Sequence, residues 1–364
     1  MEYLIIFLVL VLTGALLFAK GLWDAKRMES WQRQKLKENF GKKADREYQD
    51  GEFERIPGYF EKHQEGFFLD DITWNDLNMD ELFHQMNSAC SSAGQEYLYY
   101  MLRSPSFSEE ELMRREVLMQ YFTVHEEERL RLLMLYGRMG RTGKYSIYDY
   151  LDFLDNLGER SSGRQILLDL LFLPAAALTA VIPQVGLPVI FCLLTVNIMT
   201  YMKEKRVIEP YLTSFKYVFR AISFAEQFCE EKIPVLEEER KELTVLLKCF
   251  QKLKRSSVLG MRSMGDGGSP LDVVMDYLNM IFHFDILSFN RMLNQVREHK
   301  ADIDALLTVA GRIDALIAAA GYRQSLPVRC TPEFLKEWDG GAGGNLCMKE
   351  LYHPLLSDPV ANDI

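Results

Sequence analysis

The stretch Ile303-Asp304-Ala305-Leu306-Leu307-Thr308-Val309-Ala310-Gly311-Arg312-Ile313-Asp314-Ala315-Leu316-Ile317 sets Ile303, Leu306, Leu307, Ala310, Ile313, Leu316 and Ile317 at spacings of three and four. That period lines one face of an α-helix. It recurs upstream in Leu271, Val274, Met275, Leu278, Ile281 and Phe282, behind Ser269-Pro270, an N-cap followed by proline at the first helical position. A long helix is predicted from about Pro210 to Arg255, with Leu243, Leu246, Leu247, Phe250 and Leu253 on one side. Ser108-Glu109-Glu110-Glu111 fits a capping box ahead of Leu112, Val117 and Leu118. From about Asp71 onward the chain reads as helical, with no convincing strand before Val328. The expected class is all-α, built on long helices, with transmembrane helices and a short β segment near the C-terminus.

Composition narrows the function. The 364 residues are 48% hydrophobic and 26% charged, which excludes a disordered tail. Lys and Arg total 42 against 52 Asp and Glu, a net charge of −10, which argues against a surface covered by nucleic acid but leaves room for a local basic groove. Cys90, Cys192, Cys229, Cys249, Cys330 and Cys347 form no Cys-x-x-Cys pair and read as reduced thiols.

Two apolar blocks stand out. Tyr3 to Ala19 is a 17-residue run interrupted only by Thr13 and Gly14, just long enough for a membrane helix. Only Met1 and Glu2 precede it, and no clean small-x-small site succeeds it, so an uncleaved anchor is expected rather than a signal peptide. Nine Lys and Arg within residues 20–50 place the chain beyond the anchor in the cytosol. The second block, Ile166 to Met202, divides at Pro183-Gln184-Val185-Gly186-Leu187-Pro188 into arms of 17 or 18 residues. Arg160 and Arg164 flank one end; Lys203, Lys205 and Arg206 flank the other. Both ends read as cytosolic, which suits a hairpin in the bilayer; the competing arrangement is a helix pair buried in a soluble core. The expected organisation is an anchor at 1–23, a charged juxtamembrane helix and linker at 24–70 broken by Pro57-Gly58, a helical domain at 71–330 interrupted by the hairpin at 166–202, and a C-terminal segment at 331–364.

Motifs for chemistry are weak. Gly143-Lys144 has Arg138 and Tyr145 where a phosphate loop needs Gly and Ser/Thr. Gly340-Gly341-Ala342-Gly343-Gly344 and Gly265-Asp266-Gly267-Gly268 read as loops. The six histidines never pair at helical ligand spacing, and no Gly-x-Ser-x-Gly elbow is present. No catalytic or metal site is expected within this chain.

Two stretches carry a family resemblance. The first runs from Met79-Asp80-Glu81-Leu82-Phe83 through Cys90-Ser91-Ser92-Ala93-Gly94-Gln95-Glu96-Tyr97-Leu98 and Leu102-Arg103-Ser104-Pro105 to Arg114-Arg115 and Val117. It resembles the opening of the lever (core) domain of the MutS family of DNA mismatch repair proteins. Gly94, Leu98, Arg103 and Pro105 are its motif residues. The second, Tyr352-His353-Pro354-Leu355-Leu356 and then Pro359-Val360-Ala361-Asn362-Asp363-Ile364, is similar to the strand and Asn-Asp turn that open the family's ATPase domain. Together they cover roughly residues 71–364.

The resemblance implies a membrane-anchored lever module that couples an ATPase head to an element at the lever tip. The head's phosphate loop would lie just past Ile364, so the chain reads as truncated before it, and ATPase activity belongs only to a longer relative. His353, Pro354, Val360 and Asn362 would then edge the nucleotide pocket, ATP and Mg2+ would be the cofactors, and two copies would pair through the heads. Val360 is aliphatic where relatives often stack a ring on the base. Mismatched double-stranded DNA is the family's partner, but here the hairpin stands where the DNA-gripping clamp interrupts the lever. The alternative is a membrane scaffold that binds neither DNA nor ATP.

Overall fold

In the computed structural model the described residues are 2–48, 51–143, 145–158, 160–251, 270–333, 347–356 and 358–364. Their elements, in order, are α1 (Glu2–Asn39), α2 (Glu52–Arg55), α3 (Gly58–Lys62), α4 (Asp71–Asp76), α5 (Met79–Met86), α6 (Ser92–Arg103), α7 (Glu109–Val124), α8 (Glu126–Met139), α9 (Ile147–Phe153), α10 (Gly163–Leu170), α11 (Phe172–Val181), α12 (Pro183–Glu230), α13 (Glu237–Cys249), α14 (Pro270–Phe282), α15 (Phe284–Glu298) and α16 (Lys300–Ser325). The side chains of residues 2–19, Ser269, and the glycine clusters at 265–268 and 340–344 lie outside the described residues.

The core is built around α16. Its apolar stripe is buried, and so are Val309, Ala315, Ala318 and Ala320, so neighbours close on it from nearly every side. The small side chains of Ala315, Ala318, Ala319 and Ala320 permit that approach and cost little helix propensity. Helices α6, α7, α13 and the second half of α12 pack against it. From α12 the core receives Phe215, Tyr217, Val218, Ile222, Phe224 and Phe228. Part of the 24–70 segment also joins the core: Ile56, Tyr59 and Phe60 are buried against it.

Three sequence expectations need correction. The expected β segment is absent: among the described residues there is no strand, only a single antiparallel bridge between Leu351 and Asn362. Met348 and Ile364 also exchange backbone hydrogen bonds at 2.8 and 2.9 Å, but Glu350 at φ 52° between the two pairs interrupts the ladder, and Pro354 and Pro359 have no N–H to continue it. The long helix predicted from Pro210 to Arg255 is two helices. Helix α12 begins at Pro183, passes through Pro210 and ends at Glu230; α13 starts at Glu237. Lys232 at φ 48° and an extended Ile233 before Pro234 make the break. The hairpin turn is narrower than Pro183–Pro188: it is confined to Ile182, and Pro183 already opens α12. Gly186 makes so tight a return possible, since a Cβ there would meet the Thr179 backbone nitrogen at 2.4 Å.

Ser108 caps α7, accepting from the Glu111 N–H at 3.3 Å, but Glu111 turns to the Ser106 hydroxyl and Arg115 and leaves the box half made. A complete capping box forms at Ser146 and Asp149, at the start of α9.

Candidate functional site

Buried polar groups gather at the N-terminus of α6. Ser91 is the N-cap and accepts from the Gly94 N–H at 3.0 Å. Asp314 reaches this end from α16. Its Oδ2 accepts from the Ser91 N–H at 2.8 Å and the Ser91 hydroxyl at 2.6 Å, and its Oδ1 from the Cys90 N–H at 3.3 Å. A carboxylate at a helix N-terminus is favoured by the helix dipole. Burial nevertheless dominates and pushes the Asp314 carboxyl up to about 6, against those hydrogen bonds. Gly94 permits the arrangement: a Cβ there would lie 2.2 Å from Asp314 Oδ2.

Beside it, Arg55 is buried and donates to Ser92, Thr142, Glu52 and Gln95. Glu96, one helical turn into α6, accepts from the Ser146 hydroxyl at 2.9 Å. Its other oxygen is buried without a partner, and burial raises its carboxyl to about 8. The Ala93 N–H donates to Tyr217 Oη at 2.9 Å, which ties this cluster to α12.

The other motif residues lie further along α6. Leu98 is fully buried. Arg103 donates to Tyr99 Oη at 3.0 Å, to the Leu69 carbonyl at 2.8 Å and to Asp71 Oδ1 at 2.7 Å, and stacks 4.4 Å from the Trp74 ring centroid. Pro105 is exposed just past the helix end. Gly94, Leu98 and Arg103 hold the helix in place.

Of the residues that would edge a nucleotide pocket, His353, Val360 and Asn362 are exposed and Pro354 is half-buried. The His353 Nδ1 accepts from the Leu355 N–H at 3.3 Å, and the Pro354 carbonyl accepts from Lys43 Nζ at 3.2 Å. Val360 is 80% exposed, and Asn362 pairs with Leu351.

A second polar cluster sits at the base of the hairpin. Asp169 of α10 accepts from Asn197 Nδ2 of α12 at 3.2 Å and lies 3.0 Å from His283 Nδ1. His283 is buried and stands at φ 52°, between α14 and α15. Asn197 also donates to the Ile281 carbonyl at 2.8 Å, and Tyr201 donates to Asp285 Oδ2 at 2.9 Å. Burial raises the Asp285 carboxyl above its usual range. Beyond this collar the hairpin is apolar and uncovered: Leu173 is 69% exposed, Val181 78% and Phe191 74%. Two helical stretches, Gly163–Val181 and Pro183–Glu209, are long and apolar enough to cross a membrane, and only 11% and 17% of their apolar windows are buried. The chain's own core therefore does not bury the pair.

Sequence reasoning missed Asp314, Glu96, Arg55 and the partners of Asp169. One signal is readable. Asp314 follows Ala310 by four and Leu307 by seven, which puts a carboxylate on the apolar stripe of α16. Comparisons of the chain with protein-family models, with curated proteins and with solved structures returned no match.

Proposed function

We propose that the chain is a membrane-anchored coupling module in which α12 links a lipid-embedded hairpin to the polar cluster at the start of α6. One observation carries it. Helix α12 is a continuous 48 residues, about 72 Å at 1.5 Å per residue, apolar and uncovered in its first half and core-buried in its second. An uncovered apolar prong of this size in water would be an aggregation site, whereas lipid satisfies it. From Asp169 or Asn197 to the Ile182 turn is about 20 Å of helix, less than the ~30 Å hydrocarbon core. The prong therefore enters from the cytosolic face and returns to it, with the collar at the interface, and the bulk of the chain is cytosolic.

Native Cys192, exposed on the prong, tests this. In a variant whose other cysteines are serine, a water-soluble maleimide should label Cys192 in intact membranes at least ~10-fold more slowly than in detergent, because the thiol is shielded by lipid. Equal rates would show that the prong faces water.

The resemblance to the MutS lever suggests what is coupled. An ATPase head following the Tyr352–Ile364 segment would drive paired copies together on binding ATP and Mg2+, and α12 would carry that change to the hairpin. The support is the two motif stretches, at Met79–Val117 and Tyr352–Ile364, and the lever-like length of α12. ATP-dependent dimerisation of the native gene product in nanodiscs is the expected result. A product that neither binds ATP nor changes oligomeric state would leave a membrane scaffold.

A further inference from the structure

Between the cytosolic half of α1, the adjoining segment to Arg46 and helix α8 lies a cleft of about 740 Å³, within the range of small-molecule sites. In a chain of net charge −10 its wall is basic: Lys35, Lys42, Lys43, Arg46 and Arg141 line it, with Asp45 the single acidic residue among the described lining residues. The deepest groups are incompletely paired. Arg46 bonds Glu52 and stacks 4.9 Å from the Tyr48 ring centroid, yet its Nη1 is buried without a partner. Arg141 donates to the Ala89 carbonyl at 2.9 Å, and its Nε is buried without a partner. Burial, and then the neighbouring Arg46 charge, lower the Arg141 pKa from its ordinary value, and the Glu52 and Asp314 carboxylates offset this only in part. Asn87 is fully buried on the same wall; its amide nitrogen donates to Tyr48 Oη at 2.8 Å, while its Oδ1 has no partner.

Two guanidiniums that repel each other beside unused donors are relieved by an anion between them, and a guanidinium fork matches a phosphate. The free Asn87 oxygen calls for a donor such as a hydroxyl. From these residues we propose that the cleft binds a phosphorylated polyol, a sugar phosphate or a nucleotide, with phosphate between Arg46 and Arg141 and a hydroxyl on Asn87. Lys42 and Lys43 stand on the exposed rim, Lys43 donating to the Pro354 carbonyl, and add positive charge at the mouth.

The same chemistry could come from a lipid headgroup or from solution, and the geometry favours solution. Lys35 follows Lys20 by fifteen residues of one continuous helix, about 22 Å, whereas the headgroup layer is only about 5–7 Å deep. This choice of source rests on the proposed anchor; the binding itself does not.

The test uses the full chain in phosphatidylcholine nanodiscs, titrated calorimetrically with ribose 5-phosphate, with ribose as the uncharged control. Saturable ribose 5-phosphate binding that ribose does not reproduce is expected, weakening as salt rises. The K42Q/K43Q variant changes only exposed side chains and should keep the wild-type melting temperature while weakening binding by about 5-fold. R141Q should weaken it by about 10-fold or more. Absence of saturable binding at millimolar ligand, or an unchanged affinity in K42Q/K43Q, overturns the proposal. Loss of binding when the nanodiscs carry a phosphoinositide would make a headgroup the occupant and overturn the soluble source.

Discussion

Gly94→Ala is expected to destabilise the protein by about 3–5 kcal/mol, a large share of the ~5–15 kcal/mol typical of a folded domain. The new methyl would sit 2.2 Å from Asp314 Oδ2 and 2.7 Å from Asp314 Cβ, so this is a collision with a side chain fully buried on α16. Overpacking alone costs ~1–3 kcal/mol. Displacing Asp314 also strands a buried carboxylate and frees the Ser91 and Cys90 donors that hold the start of α6. Adding Asp314→Ala to Gly94→Ala makes room for the methyl and should recover part of the loss, so the double variant should be more stable than the sum of the singles. Thermal or urea melts of the four proteins in detergent supply the comparison. A Gly94→Ala protein within about 1 kcal/mol of wild type, close to the scatter of neutral substitutions, would sink this account of the helix crossing.

Raising the pH should weaken the wild-type protein, and Glu96→Gln should remove most of that dependence. Burial raises the Glu96 carboxyl from 4.5 to about 8, so the folded protein holds a proton that the unfolded chain releases. Stability from this group is therefore complete below about pH 4.5 and is lost as pH rises through about 8, at roughly 1 kcal/mol per pH unit in between. Asp314, raised from 3.8 to about 6, adds the same sign in a lower window. Glutamine is neutral throughout and can still accept from the Ser146 hydroxyl, so the melting temperature of Glu96→Gln should stay nearly level between about pH 6 and 8 while that of wild type declines. Parallel curves for the two proteins would rule Glu96 out as the titrating group.

Part of this molecule is legible in its sequence. The α16 stripe follows from residue spacing, because an α-helix is closed by hydrogen bonds between residues four apart; the start of the helix at Pro270 follows from its cap signal, and the Ile166–Met202 block from its apolar run. Errors arise where one proline is weighed without its surroundings. Pro210 suggests a helix start although α12 runs through it, whereas Pro234, whose restriction on Ile233 ends α12, falls inside the predicted helix. The segment at 24–70 looks like linker because its apolar residues lack a period, yet Ile56, Tyr59 and Phe60 fill the core from two short turns.

The sequence alone determined the most periodic helical stripe, which stretch is too apolar for water and which segment is basic. Only the tertiary structure decided what the polar residues meet. Ser91 and Asp314 are 223 residues apart, and Asp169 and His283 are 114 apart; no local pattern specifies either pair. Their contacts follow from helix packing, which depends on shapes along whole helix faces, such as the space left by Gly94. Desolvation then turns those contacts into shifted carboxyls at Glu96 and Asp314, and folding α1 back against α8 turns a run of basic residues into the wall of a cleft.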